Sequence, residues 1–195
     1  MSRASTRDRL LDAGLRVMFR LGYAGTGVRD IVADAGVGQG SFTNHFRSKE
    51  AFAAEVLERY FIHVRSLVVI ALDDDKVPPR ERLRQYLELI TGKLEADQWH
   101  RGCLIGDFSA EMPGHSEDVR TRLAEIYAIW RQPFARCIKA AQKQGSLADD
   151  FAAEELADFL LSSWQGAILR MKVERDPKPL EIFKKIAFAT IFKEP

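Results

Sequence analysis

The chain of 195 residues has room for one domain, or for a small module joined to a larger one, and its 46% apolar content can bury a core. Charged residues make up 29%, with 29 Lys and Arg against 28 Asp and Glu, which excludes a disordered acidic or basic tail protein. The net charge of +1 hides an asymmetry: residues 1–50 carry 8 basic and 5 acidic side chains, residues 51–195 carry 21 and 23.

The longest apolar run, Leu67 to Leu72, falls far short of the roughly 18–20 residues of a membrane helix. The stretch Met1 to Arg9 is polar with no apolar segment of signal-peptide type behind it, so no membrane contact is expected and the cytoplasm is the expected compartment. Cys103 and Cys137 form no CxxC and have no His at ligand spacing. Neither a disulfide framework, a metal site nor a cofactor is therefore expected.

Apolar residues recur at helical spacing along the chain and no alternating strand pattern appears, so the fold class read is all-α. Leu10, Gly14, Val17, Met18 and Leu21 form one stripe of a first helix, with Gly22 expected to end it. Val28, Ile31, Val32 and Ala35 mark a short second helix, with Thr26 as its expected N-cap and Gly36 as its stop. A third helix begins near Gln39 and carries Phe42 and Phe46 on one face. Ser48 is the expected cap of a fourth, running to about Leu72. The segment Asp73 to Pro79 is the clearest break. Beyond it the pattern predicts helices at about 80–96, 104–112, 117–144, 152–174 and 178–193.

Two short helices joined by a tight turn at Gly36 make a helix-turn-helix pattern over residues 28–46. Its apolar residues would hold the pair against the first helix and leave Gln39, Ser41, Thr43 and Asn44 outward. Such small or amide side chains bond base edges. Thr26, Arg29, His45 and Lys49 are donors suited to phosphates, and Lys49 stands at a helix N-terminus that itself attracts anions.

These residues also carry a resemblance. Leu10-Leu11-Asp12-Ala13, Leu21-Gly22-Tyr23, Thr26, Val28-Arg29-Asp30-Ile31, Ala35-Gly36-Val37, Gly40-Ser41-Phe42, His45-Phe46 and Ser48-Lys49-Glu50-Ala51 together resemble the N-terminal signature of the TetR family of transcriptional repressors. The resemblance covers about the first 52 residues. It implies a DNA-binding domain over 1–50 and a helical ligand-binding and dimerisation domain over 51–195, in a homodimer that binds a palindromic operator on double-stranded DNA. Carried over by position, the recognition helix is Gln39 to Phe46, and Thr26, Thr43, His45 and Lys49 form the phosphate clamp. Gly38-Gln39, Thr43 and Gly27 depart from the family's usual Ser-Lys, Tyr and Ser or Thr.

Arg101 to Glu111 resembles a segment of a family subgroup that responds to reactive electrophiles, similar to the N-ethylmaleimide repressor. Cys103, at the start of a predicted helix behind His100 and Arg101, has the flank that lowers a thiol pKa. The subgroup resemblance implies Lys172 as a further cation beside it. The implied effector is a small molecule or an electrophile. Trp99, Phe108, Tyr127, Trp130 and Trp164 are candidate walls of an apolar pocket, for which plain core packing is the commoner role, and Asp107, Glu111 and Gln165 are candidate polar contacts, for which a solvated or helix-end role is the alternative. Cys137 reads as core. Phe159, Ile182 and Ile186 of the last two helices add to an apolar surface suited to a second copy. No catalytic residues are assigned: the four histidines are scattered, and neither HExxH, GxSxG nor a phosphate-binding glycine loop occurs. An enzyme using Cys103 and His100, or a helical protein adaptor, are the rival readings.

Overall fold

The computed structural model describes residues 5–193; Met1 to Ala4, part of the polar start noted above, lie outside the described residues. Those residues form nine helices and no strand: α1 (Thr6–Gly25), α2 (Val28–Ala35), α3 (Gly40–His45), α4 (Lys49–Leu72), α5 (Pro79–Ala96), α6 (Leu104–Glu111), α7 (Glu117–Lys143), α8 (Ala153–Glu174) and α9 (Lys178–Ala189). None of these helices is long and apolar enough to cross a membrane, and among the described residues no cluster of His, Cys, Asp and Glu is arranged to hold a metal ion.

The chain divides into two compact units. The first joins the described residues up to His63 with Leu104–Ala124; the second joins Val64–Cys103 with the described residues from Glu125 onward.

In the first unit the apolar stripe of α1 is fully buried at Leu10, Val17 and Met18, and Ser5 caps the helix by accepting the Asp8 N–H at 3.1 Å. Gly22 does break α1, as expected, but by a kink rather than a stop, and one further turn follows to Gly25. Its φ of 70° and ψ of 177° lie in a region reserved for glycine. α2 ends at Gly36, in the left-handed conformation at φ 61°, where the Gly36 and Val37 amides return to Ala33 O and Val32 O. Arg9 reaches across from α1 and donates to Ala35 O at 2.7 Å and Gly36 O at 3.0 Å, so the turn is tied to the helix behind it.

The start of α2 corrects one expectation. Its N-cap is Gly27, whose N–H donates to the Asp30 carboxylate at 2.8 Å, while the Thr26 hydroxyl donates to Gly22 O at 2.6 Å. The extra turn of α1 brings that carbonyl within reach of Thr26, and Asp30 supplies the cap from inside the helix. α6 lies against α1 in the same unit: Glu111 accepts the Ala24 N–H at 2.9 Å, and Phe108 meets the Tyr23 ring edge-on at 6.3 Å.

In the second unit α8 packs along α9, with Trp164 buried and its ring 5.3 Å from Phe183. Tyr86 of α5 meets Phe134 of α7 edge-on at 4.8 Å. Arg82 is buried and donates to Leu72 O at 2.7 Å, closing the loop between α4 and α5. α9 ends four residues short of its expected limit, because Phe192 turns back to Ala187 O at 2.8 Å and buries its ring.

Candidate nucleic-acid interface and sensor site

Three phenylalanines determine which face of α3 looks outward. Phe42, Phe46 and Phe52 form a triangle with ring centroids 4.7–5.4 Å apart, all at most 4% exposed. Burying each contributes about 1.5–3 kcal/mol, so α3 cannot roll without exposing two large rings. The opposite face carries Gln39, Thr43, Asn44 and His45, all exposed, with Ser41 half-buried at its edge. Thr43 uses its hydroxyl on Gly40 O at 3.1 Å within α3.

Beyond that face, Arg29 on α2 is exposed, and Lys49 opens α4, whose first turn is capped by Ser48 accepting the Ala51 N–H at 3.1 Å. The Lys49 ammonium sits 4.2 Å over the Tyr23 ring, which fixes the position of the charge. Tyr23 in turn donates to Glu50 at 3.2 Å. Burial, reinforced by the Glu50 carboxylate, pushes the phenol pKa up to about 12. Thr26 stands apart from the rest: it is 1% exposed with its hydroxyl turned inward, so it braces the junction of α1 and α2 and presents no donor at the surface.

The second unit contains the thiol. Cys103 is 8% exposed and immediately precedes α6. Its neighbour Gly102 lies so close to α8 that a methyl group there would stand 3.2 Å from Lys172 Cδ and 3.5 Å from Ile168 Cγ2, which brings the Lys172 stem beside the thiol segment. Arg101 is paired with Asp97 at 2.9 Å and so divides its charge. His100 is exposed and its ring nitrogen Nδ1 is 2.7 Å from Gln98 O. Cys137 is buried, its thiol donates to Pro79 O at 3.1 Å, and burial pushes its pKa up to about 11.

The candidate pocket residues fall in different places. Trp130 is buried and stacks on Tyr127 with centroids 6.2 Å apart. Trp164 faces α9. Trp99 is half-buried in a left-handed turn with Gln98, at φ 61° and 52°, and its carbonyl accepts from Arg175 at 3.0 Å. Phe108 belongs to the first unit, against Tyr23. Tyr86 had no signal in the sequence beyond its helical stripe, yet it sits with Phe134 and its phenol pKa is raised, first by burial and then by the neighbouring Cys103.

Comparison with known proteins identifies the family. Residues 10–56 fit the family model described as bacterial regulatory proteins, tetR family, and residues 79–187 fit the tetracyclin repressor-like, C-terminal domain. The HTH-type transcriptional repressor DhaR of Mycobacterium sp. (strain GP1) is 44% identical over 98% of this chain and 94% of its own. A crystal structure of regulatory protein TetR from Rhodobacter sphaeroides superposes with a TM-score of 0.90 at 32% identity, covering 94% of this chain and 97% of that one. That of E. coli NemR in its reduced form gives a TM-score of 0.85 at 27% identity, over 97% and 98%. With an exposed polar face on α3, phosphate-type donors around it and both family models matched, the chain belongs to the TetR family and is a DNA-binding transcriptional regulator rather than an enzyme.

Proposed function

We propose that the chain is a cytoplasmic repressor that binds a palindromic operator as a homodimer and is released by a small molecule or electrophile. The observation that carries the DNA reading is the polar face of α3 held outward by the buried Phe42, Phe46 and Phe52. Gln39, Ser41 and Asn44 read base edges in the major groove, and Arg29, Thr43, His45 and Lys49 engage phosphates. Residues 1–50 act as the reading head, and 51–195 as the effector and dimerisation domain.

The dimer reading rests on exposed apolar side chains of α8 and α9. Phe159, Leu169 and Val173 are 48–76% exposed at helical spacing along α8, and Ile182 and Ile186 are exposed on α9. Cys103 is the proposed sensor, supported by its place at the start of α6 beside the Lys172 stem. A gel shift on genomic fragments tests the reading directly. A sequence-specific shift by a dimer, relieved when Cys103 is alkylated with N-ethylmaleimide and retained in alkylated Cys103→Ser, supports it. A shift with no sequence preference overturns the operator assignment, and release of the serine variant overturns the sensor.

A further inference from the structure

Lys49 stands where its own helix disfavours a cation. It opens α4, whose first-turn amides give that end a partial positive charge, and its four-carbon stem has many rotamers open to it. One contact opposes both effects: the ammonium lies 4.2 Å over the Tyr23 ring, whose electron-rich face attracts the charge. Such a contact locates the lysine only if the ring itself is held. Tyr23 is 7% exposed and is held from three directions within the first unit. The ring meets the fully buried Phe108 of α6 at 6.3 Å, with the two planes 72° apart. Its hydroxyl donates to Glu50 at 3.2 Å. The backbone is tied on both sides of the residue's carbonyl carbon: Tyr23 O accepts the Thr26 N–H at 3.2 Å, and the Ala24 N–H donates to Glu111 at 2.9 Å. A ring buried to this degree has no face left for DNA, so any part it has in DNA binding runs through Lys49.

We propose that Tyr23 is a positioning residue of the DNA interface, its ring holding the Lys49 ammonium in the place where it meets a backbone phosphate. A lysine already confined gives up little rotamer freedom when the phosphate arrives, so the confinement shows as affinity. The phosphate is the same on every sequence, so the gain carries no base preference. The hydroxyl of Tyr23 is not needed for it, because the charge is held by the ring face. This inference rests on the reading of Lys49 as a phosphate donor and adds to it the group that sets the donor in place.

Fluorescence anisotropy of the full-length protein on a labelled random-sequence duplex, at one low salt concentration, tests the assignment through a double-mutant cycle of Tyr23→Leu and Lys49→Ala. Tyr23→Leu is expected to weaken binding about two- to fivefold, the loss of one cation–π contact. Tyr23→Phe keeps the ring face and loses the hydroxyl, and is expected to bind as wild type does. Once Lys49 is alanine, Tyr23→Leu is expected to change nothing further. Equal weakening by Tyr23→Leu in both backgrounds would mean that the ring only supports the fold, and would overturn the proposal. Lys49→Ala binding as tightly as wild type would instead refute the phosphate reading of Lys49 and the proposal with it, so the two failures are told apart. A second measurement needs no leucine variant to fold. In proton NMR of the wild type, the Lys49 ε-methylene signal, identified by its loss in Lys49→Ala, is expected upfield of the other lysines because it lies over a ring; a signal at the ordinary lysine position would overturn the proposal on its own.

Discussion

The contact between Glu111 and the end of α1 yields a prediction with a sign and a size. Glu111→Ala removes the acceptor of the Ala24 N–H, an exposed charge-assisted bond of 2.9 Å for which about 1 kcal/mol is the expected cost, since water replaces the carboxylate. Gly22→Ala is costlier. It forces a non-glycine residue to φ 70° and ψ 177°, a strain of about 1–3 kcal/mol, and places the new methyl carbon 2.6 Å from a Glu111 oxygen. The clash exists only while Glu111 is present. In a double-mutant cycle followed by urea unfolding, Gly22→Ala is therefore expected to cost about 1 kcal/mol less in the Glu111→Ala background than in wild type. Costs that add to within ~0.3 kcal/mol would refute the reasoning, because the carboxylate could not then be seated over Gly22.

Limited alkylation at pH 7.5 followed by mass spectrometry is expected to label Cys103 well before Cys137, whose buried thiol ionises only near pH 11; first labelling of Cys137 would contradict this. The same shift makes a stability prediction, because Cys137 and Tyr23 ionise at higher pH in the folded chain than in the unfolded one. The stability they contribute is whole below about pH 9, and falls as the pH rises through about 9–11 for the thiol and 10–12 for the phenol, so urea midpoints should decline across that window and decline less in Cys137→Ala. At the DNA, Asn44→Ala should relax base preference at one operator position, whereas Lys49→Ala should weaken all sequences alike and lower the salt slope by about one, as read by fluorescence anisotropy from 50 to 200 mM salt. Leu169→Glu should shift the protein to monomer in sedimentation; an unchanged dimer would move the interface elsewhere.

Periodicity and caps made most of the helices legible. The bounds of α5 to α8 lie within a residue or so of those predicted, because Pro79, Gly145 and Arg175 sit beside clean ends of the apolar pattern. The pattern was silent where a backbone turn, rather than a side-chain rhythm, decides. Thr26 has the chemistry of an N-cap, but the kink at Gly22 offers its hydroxyl a nearer carbonyl, and Gly27 takes the position with Asp30 as partner. Phe108 shows the other limit. Its spacing announces burial without naming the neighbour, and the structure places it against Tyr23 in the first unit. Tyr86 was missed for the same reason: a phenol in a helical stripe looks like core until Phe134 and Cys103 are brought beside it.

α6 has only eight residues, about 12 Å of axis, with Cys103 immediately before one end and Glu111 at the other. A helix this short has no proline or glycine pair at which to bend, so its two ends keep a fixed separation. A hydrogen bond of 2.9 Å tolerates a few tenths of an ångström of lengthening before it weakens, which is less than the diameter of a single methyl group. The Glu111 contact therefore holds the last turn of α6 to the end of α1 within a fraction of an ångström, so the turn that follows Gly22 is set by a helix some ninety residues further along the chain.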